Sequence, residues 1–312
     1  MPRRVLALLL VPPAFALAAC SPKRLAVGVL ADSLASGGGG GVFASDDDPE
    51  LVRDAVPFAL KATEALLAEA PDHPGLLLSA CSGFTQYAYA FPQTDAELVQ
   101  DEDYARAAAL RERALGLFLR GRDYCLRALE LAHPGVRDAL VRAPETALAP
   151  ARAEEVPLLY WTGAAWGGAV SLGLDRPELV ADFPAVRALL SRALALDEDY
   201  DGGALHATMI SLESVPEAMG GSPERARRHF ERAVELSDGE SAGPYVSFAT
   251  HVAQPAQDRA AFERLLGQAL AIDPDREPSL RLANRIEQKR ARHLLARTDA
   301  LFLEAPTGED PR

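Results

Sequence analysis

The sequence predicts an all-α chain built from stacked antiparallel helix pairs, and three observations carry that reading. Apolar and small residues recur three and four apart, as Ala226, Phe230 and Ala233 do, which puts them on one face of a helix with a small residue where a neighbour must come close. One helix ending repeats along the chain: Arg127–Leu131, Arg192–Leu196, Arg232–Leu236 and Gln268–Pro274, with a looser copy at Glu64–Pro71. The alternating pattern of a half-buried strand is almost wholly missing. Measured between the alanines of these copies (65, 128, 193, 233 and 269), the steps are 63, 65, 40 and 36 residues. The last two lie near the ~34-residue period of tetratricopeptide helix pairs and the first two near twice it. One helix hairpin cannot cover its own apolar face, whereas stacked neighbours can. The expectation is a degenerate tetratricopeptide-like α-solenoid.

From the N-terminus, residues 1–19 read as a secretion signal. Arg3 and Arg4 make a basic start, and Val5–Ala18 is apolar apart from its prolines. That stretch spans about 20 Å at ~1.5 Å per residue, short of the ~30 Å bilayer core, and Pro12 and Pro13 interrupt it as a helix. It ends in Leu17–Cys20, a lipobox pattern that marks Cys20 as the residue to be acylated. Several acyl chains at ~0.8 kcal/mol per buried methylene hold far more firmly than one. Removing residues 1–19 takes away two arginines and no acid, which leaves 293 residues and moves the formal charge from −13 to −15. That balance argues against nucleic acid or an anionic membrane surface as the main partner.

Residues 20–45 form the anchored segment, with a flexible connection at Gly37–Gly41 that lacks the Lys-Ser/Thr of a phosphate-binding loop. A helical domain over 46–305 follows, and residues 306–312 read as a disordered tail. Asp48 caps the first long helix and Pro49 suits its first position. The predicted helices are Pro49–Glu69, Gly75–Ala90, Glu102–Ala132, Val136–Arg142, Glu155–Leu172, Ala185–Leu196, Gly203–Leu212, Pro223–Leu236, Pro244–Val252, Gln257–Ile272 and Pro278–Phe302. Thr94 and Glu97 read as a capping box. The basic last helix, with Leu282, Ile286 and Lys289 on one face, reads as a solvated cap on the end of the stack. Cys81 and Cys125 fall among apolar neighbours in helices and read as buried free thiols, a bridge in an exported chain being the alternative.

Two aromatic stretches are candidates for a ligand site. In Cys81–Phe91, the residues Phe84, Tyr87 and Phe91 align on one helical stripe and Tyr89 lies away from them. Leu158–Val170 holds Tyr160 and both tryptophans, Trp161 and Trp166, among small residues that allow close packing. Core packing accounts for both stripes. As a site they would line a cleft inside the array where rings with polar tips hold an apolar or amphipathic molecule, with His206 as a polar contact. There is no G-x-S-x-G, C-x-x-C or H-E-x-x-H, and the six histidines never fall at i, i+4. No nucleophile–base pair, metal site or cofactor is called for, and an enzyme is not expected.

Taken in order, the lipobox, Asp46–Leu51, Ala55–Leu60, Gly83–Phe91, Tyr160–Gly168, Asp197–Ala204, Met219–Ala226 and Ser241–Tyr245 resemble the T-component (TatT) lipoproteins of TRAP transporters. The resemblance covers nearly all of the chain after the signal. It implies a periplasm-facing lipoprotein with degenerate repeats, assembled as a homotrimer with a cleft or pore through each subunit. It further implies a TRAP-type periplasmic solute-binding protein as partner and a small organic ligand, hydrophobic ones included. Ser21 in place of an aspartate after Cys20 favours the outer membrane. The alternative function is a ligand-free repeat scaffold for envelope assembly complexes.

Overall fold

The computed structural model describes residues 40–303. The expected signal, Cys20 and the expected tail at 306–312 lie outside the described residues. Among those described there is no strand, and every regular element is helical.

A short α1 (Gly40–Ala44) precedes α2 (Pro49–Glu69), where Asp48 accepts from the N–H groups of Glu50 and Leu51 as the sequence predicts. α3 (Pro74–Ala88) returns after a four-residue connection, too short for anything but an antiparallel neighbour. Next come α4 (Thr94–Val99), α5 (Tyr104–Ala132), α6 (Val136–Arg142), α7 (Pro144–Leu148), α8 (Val156–Leu172), α9 (Pro177–Val180) and α10 (Phe183–Leu196). The chain ends in α11 (Tyr200–Glu213), α12 (Pro223–Leu236), α13 (Gly243–Phe248), α14 (Arg259–Ala271), α15 (Arg281–Ala296) and α16 (Thr298–Leu301). Ser222 caps α12 by accepting from the Arg225 N–H.

Three local expectations change. Thr94 is not a cap: its backbone is helical, and its hydroxyl donates to the Tyr89 carbonyl at 2.9 Å. Pro92 has no N–H to give, and the chain widens into a π turn over Tyr89–Gln93 instead of ending the helix. A second π turn, Ala249–Ala253, extends α13. The predicted final helix breaks at Arg297, giving α15 and α16.

Packing follows chain order. α2 lies on α3, α3 on α5, α5 on α8, α8 on α10, α10 on α11, α11 on α12, and α13 to α15 continue the series. The repeated alanines sit at these contacts. Ala128, Ala193, Ala233 and Ala269 are buried, while Ala65 of the looser copy is exposed. Small residues set the spacing. A Cβ on Gly163 would meet Leu190 at 2.7 Å, and one on Gly168 would meet the buried Phe118 ring at 2.6 Å.

Cys81 and Cys125 form a disulfide between α3 and α5, with Cα atoms 5.2 Å apart, so the free-thiol reading is overturned. The reason lies one turn away on each helix. A Cβ on Gly121 would stand 2.8 Å from the Thr85 hydroxyl and 3.1 Å from the Cys81 carbonyl, so α3 and α5 approach within bridging range.

The last helix is not a solvated cap. α15 packs back against α1, α2 and α4, so the last helices of the array meet the first. Asn284, Ile286, Glu287, Gln288 and Arg290 are all buried in it. The Arg290 guanidinium pairs with Glu287 at 2.9 Å and with Glu97 at 2.9 Å, and also donates to the Tyr89 hydroxyl. Tyr89 in turn donates to Glu287 at 2.7 Å. Arg281 donates to the Ser45 carbonyl at 2.7 Å, and Arg297 pairs with Asp101 at 2.6 Å. Arg281, Lys289, Arg290 and Arg297 thus reach residues of the opening segment, while Arg285 pairs with Asp275.

Arg290→Ala will lower stability by about 3 kcal/mol in urea unfolding, because Glu287 stays buried without its cation. The double change Glu287→Gln with Arg290→Met will recover much of that loss. Gly168→Ala will cost about 1–2 kcal/mol by the same measurement: the clash with Phe118 outweighs the ~1 kcal/mol helix-propensity gain.

Candidate functional site

The candidate aromatics divide into those that hold the core together and those that water still reaches. Phe84 is buried, stacked on Tyr124 with ring centroids 6.0 Å apart, and the Arg120 guanidinium lies 4.9 Å from its ring. Trp166 is buried, and its indole N–H donates to Asp182 at 3.1 Å. Tyr87 packs on Phe91 with centroids 5.2 Å apart.

Tyr89, Tyr160 and Trp161 differ. Tyr89 is 37% exposed, yet desolvation raises its hydroxyl well above the ordinary phenol range, with Arg290 opposing and Glu287 reinforcing the shift. Water reaches the ring, while the hydroxyl is enclosed by Arg290 and Glu287. His251, in the second π turn, behaves alike. It is exposed, yet desolvation lowers it, and its Nδ1 is 3.0 Å from the Ser247 carbonyl. Its charged neighbours are Arg290 and Glu97, so it belongs with Tyr89 at the place where the array closes.

Tyr160 and Trp161 are partly buried, with centroids 4.8 Å apart in an edge-on contact. Tyr200 joins them, 5.4 Å from the Tyr160 ring. Desolvation raises Tyr160, with Thr208 pulling the other way. Tyr200 is raised by desolvation and then by Asp201, and burial raises the Asp201 carboxyl itself. Asp201, Gly202 and Gly203 are three successive left-handed residues, with φ of 49°, 58° and 92°. A Cβ on Gly203 would meet Ala233 at 3.3 Å, so this turn lets α11 come against α12 while it presents Tyr200 and Asp201 beside Tyr160. Tyr200 and Asp201 were missed from the sequence as site residues. Their signal was the run Asp199–Gly203, in which an acidic residue precedes two glycines.

His206 is buried and lies apart from these rings, Nδ1 to Nδ1 with His229 at 2.9 Å across α11 and α12. Desolvation lowers His206, with Glu198 and Asp199 opposing and Arg232 assisting. His229 is pushed down to about 4 by desolvation and then by His206, with Arg228 and Arg225 assisting and Glu213 opposing. Glu213 is held ionised by Arg187 and Arg225, which it meets at 2.7 and 2.6 Å. The histidine partner was invisible in sequence because 23 residues separate the two rings.

Among the described residues no three or more His, Cys, Asp or Glu side chains are grouped to hold a metal. The arrangement leaves ring faces accessible, while the Tyr89 hydroxyl is engaged with Arg290 and Glu287. Among the described residues, no helix is long and apolar enough to cross a membrane.

Fold and site together define an all-α protein of successive packed helices whose last long helix returns to the first ones, with some of its aromatic residues accessible to water. The comparisons carry this further. Residues 45–302 match the family described as TRAP transporter T-component, and the chain belongs to that family. A protein of Treponema pallidum (strain Nichols), described there as uncharacterized, is 32% identical over 304 residues, covering 92% of this chain and 94% of its own length. The chain is therefore a component of a transport family.

The histidine pair makes stability depend on pH with a definite sign. Both rings bind protons less readily folded than unfolded, so stability is full above the unfolded value near 6.5 and falls as pH drops toward about 4. Urea unfolding at pH 7 and pH 5 will show a loss of about 1 kcal/mol, discounted for the partly exposed His229 ring. His206→Asn with His229→Asn will flatten that slope.

Proposed function

We propose that the chain is a periplasm-facing lipoprotein, tethered through Cys20 to the outer membrane, that docks a TRAP-type solute-binding protein and passes a small organic ligand along an aromatic-lined hollow. The observation that carries this reading is that Tyr89, Tyr160 and Trp161 keep access to water while Phe84, Tyr87 and Trp166 are buried. Such rings hold an amphipathic molecule by their faces. Membership of a TRAP transporter family supports the partner and the cargo class. The function works by contact and channelling, with no bond chemistry.

Within this reading the candidate residues have different tasks. Tyr89, Tyr160 and Trp161 touch ligand, and Tyr200 and Asp201 join them. Phe84 and Trp166 hold α3 and α8 in place from inside the core. Tyr87 faces a different hollow, and His206 is engaged with His229. A homotrimer with one passage per subunit fits the family.

Gentle purification from the native envelope, followed by mass spectrometry of organic extracts and of co-purifying proteins, tests the proposal. The expected result is a bound amphiphile and a solute-binding protein, with the amphiphile lost in Trp161→Ala at unchanged melting temperature. An empty protein, indifferent to that change and recovered without a solute-binding partner, would favour a ligand-free scaffold and overturn the proposal.

A further inference from the structure

The stripe Phe84, Tyr87, Phe91 ends at a second hollow, on the side of α3 away from Tyr89. It measures about 300 Å³ and lies among α2, the first π turn, α4 and α5. That volume stands at the lower end of small-molecule sites.

Two arginines line this hollow, and they are not equivalent. Arg53 is already engaged: it forms a bidentate pair with Asp95, one arm at 2.9 Å, pairs with Glu50 at 2.9 Å, and lies 4.9 Å from the Phe91 ring centroid. Arg113, on α5, has no acidic partner among the described residues. Its guanidinium is held 6.0 Å from the Tyr87 ring centroid. Tyr87 is 93% buried, yet its hydroxyl makes no hydrogen bond among the described residues, although the ring lines the hollow. A free guanidinium fork and a free phenol O–H therefore stand on one wall of one cavity. Both are donors, and together they complement a carboxylate. Pro57, Pro92 and Phe91 also line the hollow, with Phe91 packed beside Tyr87. Asp54, also on the lining, is exposed and would repel a second negative charge.

We infer that this hollow is a binding site for a small monocarboxylate with a flat apolar body, its carboxylate on Arg113 and the Tyr87 hydroxyl and its body against Phe91 and Pro57. The site is separate from the passage at Tyr89 and Tyr160. Tyr87 and Tyr89 are two residues apart, about 200° around the helix, so their rings leave it on opposite sides.

The test is isothermal titration of the purified chain with sodium benzoate, with benzylamine as the probe of opposite charge. Saturable benzoate binding is expected, with none of benzylamine. Arg113→Gln will weaken benzoate at least about tenfold and Tyr87→Phe about threefold, as loss of a charge-assisted and a neutral hydrogen bond predicts. Arg113 is exposed and its removal leaves no buried charge, so the variant stays folded. Trp161→Ala will leave benzoate binding unchanged, which separates this site from the proposed passage. Benzoate that does not saturate, or that binds Arg113→Gln as well as the parent, overturns the inference even if an amphiphile is found at Trp161.

Discussion

Among the arginine side chains that join the last described helices to the first, Arg290 is the buried one. Arg290 enters the seam between α15 and the opening helices almost wholly buried, and finds Glu287, Glu97 and the Tyr89 hydroxyl there. A buried ion pair contributes little net stability compared with an apolar contact of the same volume, because both charges lose water. Its value lies in geometry. An apolar face tolerates sliding, whereas a guanidinium shared by two carboxylates and a phenol fits in one position. Tyr89 and His251 lie beside Arg290 at the seam where α15 returns to α2 and α4.

Between the ends, close approach is regulated by the absence of side chains. Gly121 lets α3 and α5 come near enough for the Cys81–Cys125 bridge. Gly163 and Gly168 seat Leu190 and Phe118 against α8 from two sides, and Gly203 brings α11 onto α12. Phe84 and Trp166 are buried in the packing between these helices, while Tyr160, Trp161 and Tyr200 stay partly exposed.

The chain belongs to the TRAP transporter T-component family. Its buried polar clusters are engaged within the fold: the charges at Glu213 and Arg290 are neutralised by partners, and His206 and His229 meet each other.

Read alone, the sequence determined what depends on near neighbours in the chain. Spacings of three and four gave the helices. Asp48 and Ser222 gave two of their starts, and the recurring endings marked the alanines that pack, apart from Ala65 in the loosest copy. Order and spacing of short motifs sufficed for the family. The tertiary structure decided whatever joins residues far apart. Arg290 is 193 residues from Glu97, His206 is 23 from His229, and no periodicity links either pair. The cysteine bridge depended on Gly121 being opposite Thr85, a fact about two helices at once. The divergence of Tyr87 and Tyr89 follows from helix pitch, but what each meets, Arg113 on one side and Arg290 with Glu287 on the other, was set by helices that arrive later in the chain.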